Sequence, residues 1–120
     1  MTDMKPLSPD TTQFLDAARR LAKAHRETDP TTTQVYLAPD PQYQEIRLVE
    51  VSTSTMDIGE VLPYGFSKRE DLGIPYPSVV VLLSPREWED VKDRKLNLPA
   101  GWGDVRDLKP LEDQADGVAA

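Results

Sequence analysis

The only histidine in the chain, His25, is the first residue to ask about chemistry, because imidazole is the side-chain type that exchanges protons near neutrality. As a functional group it would be a general base or a proton shuttle. No serine or carboxylate accompanies it at a spacing that makes a pair. The competing reading is a residue at the core boundary near a helix C-terminus, where a cation suits the helix dipole. Four carboxylates follow, Glu45, Glu50, Asp57 and Glu60. Two that meet in space can divide acid and base roles or hold a hard cation such as Mg²⁺. They lack the dense Asp/Asn-Gly spacing of a calcium loop, and there is no Asp-x-Asp pattern. Glu50 stands out because Leu48-Val49-Glu50-Val51 sets it inside an apolar strand. If its face is buried it needs a partner. A solvent-facing carboxylate needs none, and carboxylates are seldom buried. A pocket on the sheet that bound a small molecule or did catalysis would use Glu50, Tyr64 and His25.

Other chemistries leave no trace in the sequence. With no cysteine, disulfides, zinc ribbons, iron–sulfur clusters and thiol catalysis are excluded. There is no phosphate-cradling glycine loop, nucleophile elbow, metalloprotease helix or dinucleotide fingerprint. No metal and no cofactor are expected. The net charge of −7 argues against direct binding to nucleic acid or to an anionic membrane. Mimicry of nucleic acid by carboxylates in two rows on one face is a weaker idea. No apolar run approaches a bilayer span, and residues 1–9 show no signal-peptide core, so the expected location is cytoplasmic.

These groups must be positioned by a small set of elements. The clearest is Val79 to Leu83, five apolar residues of which three are β-branched, between Pro77 and Ser84-Pro85. It reads as a central strand covered on both faces. Ser84-Pro85-Arg86-Glu87 then predicts a helix start, with Ser84 as N-cap, Pro85 at N1 and Glu87 closing a capping box. Trp88 and Val91, three apart, should turn that helix onto the sheet. Near the N-terminus, Ser8-Pro9-Asp10 opens a helix that runs from Pro9 to about Thr28 and is stopped by Asp29-Pro30. Phe14, Ala17, Ala18, Leu21, Ala24 and His25 form its apolar stripe.

Thr33–Ala38 and Glu45–Val51 read as strands of a hairpin. In the second, Ile46 and Leu48 share one face while Val49 and Val51 share the other. Either both faces are covered or a bulge shifts the phase near Leu48. Val61–Phe66 is a third strand, confined to an edge or a bulge by Pro63. Leu96, Leu98 and Trp102 should pack an extended segment back onto the domain. The expected organisation is a flexible lead-in at 1–7, one α+β domain at 8–103 and a disordered acidic tail at 104–120. The expected fold is a three- to four-stranded, mostly antiparallel sheet in the order α-β-β-β-β-α. It forms either a two-layer sandwich or a sheet with a helix on each face.

Three surfaces compete for an interaction role. Leu72-Gly73-Ile74-Pro75-Tyr76-Pro77 is an apolar loop entering the apolar strand. Ile74 and Tyr76 read either as a partner-binding knob or as a lid folded over the core. Trp102, between glycines, is an exposed anchor or the plug of a small core. Arg19, Lys23 and Arg26 form a basic stripe that would dock an acidic partner or a phosphate, or simply be a solvated helix face. The leading expectation is a non-catalytic interaction protein, an accessory, adaptor or inhibitor-type subunit. It would bind another protein through Ile74, Tyr76 and Trp102, with the basic stripe as a second surface.

Overall fold

The structure is a computed structural model and describes residues 9–39 and 44–111. The chain forms α1 (Pro9–Thr28), β1 (Thr32–Leu37), β2 (Ile46–Ser52), β3 (Pro63–Phe66), β4 (Ser78–Leu83), α2 (Pro85–Lys92) and β5 (Lys109–Pro110), with 3-10 turns at Glu70–Leu72 and Val105–Asp107. The strands make one sheet in the order β3-β4-β2-β1-β5. β2 and β4 run parallel; the other neighbours are antiparallel. The class is α+β, with one helix packed on each face.

Of the stripe anticipated in α1, Phe14, Ala17, Ala18 and Leu21 are buried, Ala24 and His25 are half-buried, and Ala22, outside that stripe, is buried with them. Phe14, Ala17, Ala18, Leu21 and Ala22 are 2 % exposed or less. They pack on Val35, Leu37, Ile46, Leu48 and Val80. Asp29 ends the helix by an N–H bond to the His25 carbonyl (2.8 Å) and receives the Thr31 N–H on its own carboxylate (3.0 Å). The Thr31 hydroxyl first, and then the Thr31 N–H, hold the Asp29 carboxyl below its ordinary value.

The opposite layer is built from Val49, Val51, Val81, Leu83, Trp88, Val91 and Trp102. β2 is therefore covered on both faces, which explains its broken alternation. The one register irregularity with its neighbour lies in β1, between Thr32 and Gln34, not near Leu48. β2, rather than β4, is the middle strand. β4 lies one strand in from the edge, and Leu82 on it is 39 % exposed. Continuous apolarity marked β4 as internal without saying how many strands lay beyond it.

The α2 start follows the expected chemistry. The Ser84 hydroxyl accepts from the Glu87 N–H, and the Glu87 carboxylate accepts from the Ser84 N–H, both at 3.1 Å. The region from 104 to 111, expected as the start of a disordered tail, is ordered instead. Asp104 caps the second 3-10 turn, β5 pairs with β1, and the Leu111 N–H bonds the Val35 carbonyl at 3.0 Å. Leu108 and Leu111 are buried and supply the anchors. They are isolated among charged residues, so no hydrophobic period announced them. The predicted lead-in and the remainder of the tail lie outside the described residues.

Candidate functional site

The register places Glu50 opposite Val35 on β1 and Leu82 on β4. Leu48, two residues earlier, belongs to the α1 core, so alternation turns the Glu50 carboxylate toward α1 as well. Glu50 is 3 % exposed. A lone carboxylate there would be strongly disfavoured, and the last turn of α1 provides its partner. Nδ1 of His25 donates to Oε2 of Glu50. The imidazole is a fifth exposed and meets the ring edge of Phe66, centroids 6.0 Å apart. A carboxylate on Nδ1 fixes the ring and its tautomer, leaving Nε2 as the nitrogen available to a further group.

Beyond this pair no described residue closes over the β3 side of the α1 face. Tyr64 and Phe66 of β3 pair with Val80 and Ser78 of β4, so they rise on the face that α1 occupies. Tyr64 is 45 % exposed, Phe66 47 %, and Leu62 just before the strand 41 %. Leu82 adjoins them. The cause is width. A helix is about 10–12 Å across with its side chains, and strands are spaced by about 4.8 Å, so one helix covers two or three strands. α1 covers the β1–β2 side and leaves the β3 edge as an apolar shelf bordered by the His25–Glu50 pair.

The loop that carries the chain from β2 to β3 is pinned to the α2 start. Oε2 of Glu87 accepts the N–H groups of Ile58 (2.8 Å) and Gly59 (3.3 Å), and the Ser84 hydroxyl donates to Asp57. The capping glutamate therefore also holds the loop that delivers β3. Asp57 acts in this anchor, and Glu45 is engaged by Arg47 at 2.9 Å. The four carboxylates do not converge. Among the described residues no group of three or more His, Asp or Glu is arranged to hold a metal ion, and no helix is long and apolar enough to cross a membrane.

Of the residues expected to form the partner knob, Ile74 lies inside and Tyr76 is half-buried. Ile74 is 1 % exposed in the α1 core. Tyr76 packs its ring edge-on against Phe14, centroids 5.1 Å apart. Arg20 staples the same loop to α1 through the Leu72 carbonyl (2.5 Å). The lid reading of this loop describes its geometry. Trp102 is 4 % exposed in the α2 core. Gly101 and Gly103 both have left-handed backbone (φ +87° and +78°), which lets the chain double back and plunge the indole inward. The contact surface expected at Ile74 and Trp102 is thus not exposed, because apolar side chains on short loops have filled the two cores. Arg19 and Lys23 are exposed and Arg26 is half-buried.

Of the pocket residues expected on the sheet, His25 and Glu50 meet directly. Tyr64 stands on the same face across the shelf. A cleft of about 290 Å³ lies elsewhere, lined by Val91, Arg94, Leu96, Leu98, Gly101 and Asp104. Its acidic wall is tied down. Hydrogen bonds from the Arg106 side chain and backbone, and from Arg94, hold the Asp104 carboxyl well below its ordinary value. No protein-family model, curated protein or solved structure matches the chain.

Proposed function

We propose that this protein is a non-catalytic interaction module, an accessory, adaptor or inhibitor-type subunit of the cytoplasm, and that its contact surface is the open part of the α1 face along β3. One observation carries the reading. Leu62, Tyr64, Phe66 and Leu82, each 39–47 % exposed, are gathered on one side of an edge strand pair. Large apolar side chains gathered on a rigid surface are the usual mark of a binding region, and tyrosine is favoured at energetic centres of interfaces. The test is quantitative affinity capture from the native host with three forms of the protein. Wild type and Arg19→Glu/Lys23→Glu should recover the same partner, and Tyr64→Ser/Phe66→Ser should lose it. Identical recovery by all three would contradict the assignment.

The His25–Glu50 pair supports a second reading, a small-molecule binder or enzyme that uses the shelf as its apolar floor. A carboxylate-oriented imidazole is the base half of many acid–base sites. Thermal-shift screening of wild type against Glu50→Gln tests it. A compound that stabilises only the wild type supports this reading, and a screen in which the two proteins respond alike removes it.

A further inference from the structure

We propose that the occupant of the β3 edge is a second copy of this chain, paired antiparallel through β3 about a two-fold axis at Tyr64. The proposal rests on the shelf being a contact surface and names what covers it.

β3 bonds β4 on one side and, among the described residues, is the last strand of the sheet on the other. Exposed edges are commonly blunted by lysine, proline, bulges or a covering element. Within β3 only Pro63 acts in that way, and all four residues of the strand are exposed. A two-fold axis normal to the sheet pairs each residue before the axis with one equally far beyond it, and keeps like faces together.

With the axis at Tyr64, Tyr64 meets the partner's Tyr64, and Phe66 meets the partner's Leu62. Continuing outward, Lys68 meets the partner's Glu60. On the other face Pro63 falls opposite the partner's Gly65, so its ring confronts no side chain. Within the strand and its flanking Leu62 the contacts are apolar on apolar or ring on glycine; past the strand ends Lys68 faces Glu60, and Val61 falls opposite the partner's Ser67. Other registers lose this match. An axis at Gly65 sets Leu62 against the partner's Lys68 and Glu60 against its Glu70. An axis at Phe66 sets Tyr64 against the partner's Lys68. One at Pro63 sets Glu60 against the partner's Phe66. Glu60 and Lys68 are both exposed, and neither is in an ion pair with another described residue.

The segment from Glu60 to Lys68 is short beside the roughly 20–30 residues a side of a standard interface. The dimer is therefore a dissociating one. Sedimentation equilibrium of the full chain from about 1 µM to about 1 mM reads it. The expected weight-average mass rises from 13.5 kDa toward twice that value.

The dimer contains the Glu60–Lys68 contact twice, so Glu60→Lys or Lys68→Glu should each raise the dissociation constant about tenfold. The double variant Glu60→Lys/Lys68→Glu should return it to within about twofold of wild type. Recovery in the double variant confirms the register. A chain that stays monomeric, or a dimer indifferent to either single exchange, overturns the proposal. A monomer that still loses a different protein on Tyr64→Ser/Phe66→Ser substitution overturns self-pairing and leaves the contact surface intact. A dimer that ignores both the charge exchanges and that substitution overturns both.

Discussion

The two faces of the sheet are finished in different ways. On one, α2 and the segment from Leu96 to Leu108 close over Val49, Val51, Val81 and Leu83, with both tryptophans as filler. On the other, an alanine-lined helix covers the β1–β2 side, helped by Ile74, Tyr76 and Leu111. The open remainder carries a buried carboxylate–imidazole pair and a row of exposed apolar side chains. The closed face has an α-helix of only eight residues; the open face has one of twenty. Coverage depends on how far the chain spreads across the strands, not on how much regular structure it contains. The part left uncovered is where a second molecule has room.

The contrast can be broken most severely on the closed face. Trp88 is 6 % exposed and stacks on Tyr36, centroids 4.7 Å apart. Trp88→Ala should lower unfolding free energy in urea by about 3–5 kcal/mol. A loss below about 1 kcal/mol would mean this face is not a packed layer. On the open face His25→Ala should cost about 1–3 kcal/mol, because it strands the Glu50 carboxylate. Partial exposure of His25 sets the figure below that of a fully buried pair. Glu50→Leu, which removes the buried charge itself, should be close to neutral or stabilising. The same denaturant curves check both, and equal losses would show that the pair acts through packing rather than charge.

Ser84→Ala should remove about 1 kcal/mol by deleting the α2 cap. It also cuts the tie to Asp57, so hydrogen exchange in the loop before β3 should rise. No change there would separate the cap from the loop it is thought to anchor.

A smaller effect belongs to pH. The folded-state pKa of Asp104 is depressed from its ordinary 3.8, chiefly by Arg106 and then by Arg94. Its stabilisation is therefore fully present above the unfolded-state value and is lost as pH falls through the folded one. Melting temperature should drop below about pH 4, and Asp104→Asn should flatten that limb. An unchanged limb would place the acid sensitivity in other carboxylates.

Much of this architecture was legible where a local rule operates. The α1 stripe, the Ser84–Glu87 capping box and the edge position imposed by Pro63 each depend on residues a few positions apart. The candidate site was legible only in halves. Glu50 interrupting an apolar strand required a partner, and His25 lay in line with the buried stripe of α1. Their meeting depends on the angle at which the helix crosses the sheet, which no spacing encodes. The loop Leu72–Pro77 and Trp102 carried the right composition for an interface, but the same composition fills a small core. Exposure is decided by which strands the helices reach. Leu62, Tyr64 and Phe66 read as an ordinary amphipathic strand, and only the width of α1, which reaches Phe66 through His25 alone, leaves them largely exposed.

The account therefore turns on a paired measurement of melting temperature and association for two double variants. Tyr64→Ser/Phe66→Ser changes exposed side chains, so its melting temperature should stay within a few degrees of wild type while association is lost. Ile74→Ala/Tyr76→Ala opens the α1 core and should lower the melting temperature by about ten degrees or more. The reverse result, a stable loop variant that no longer associates beside a shelf variant that associates normally, would contradict the assignment of the β3 shelf as the contact surface.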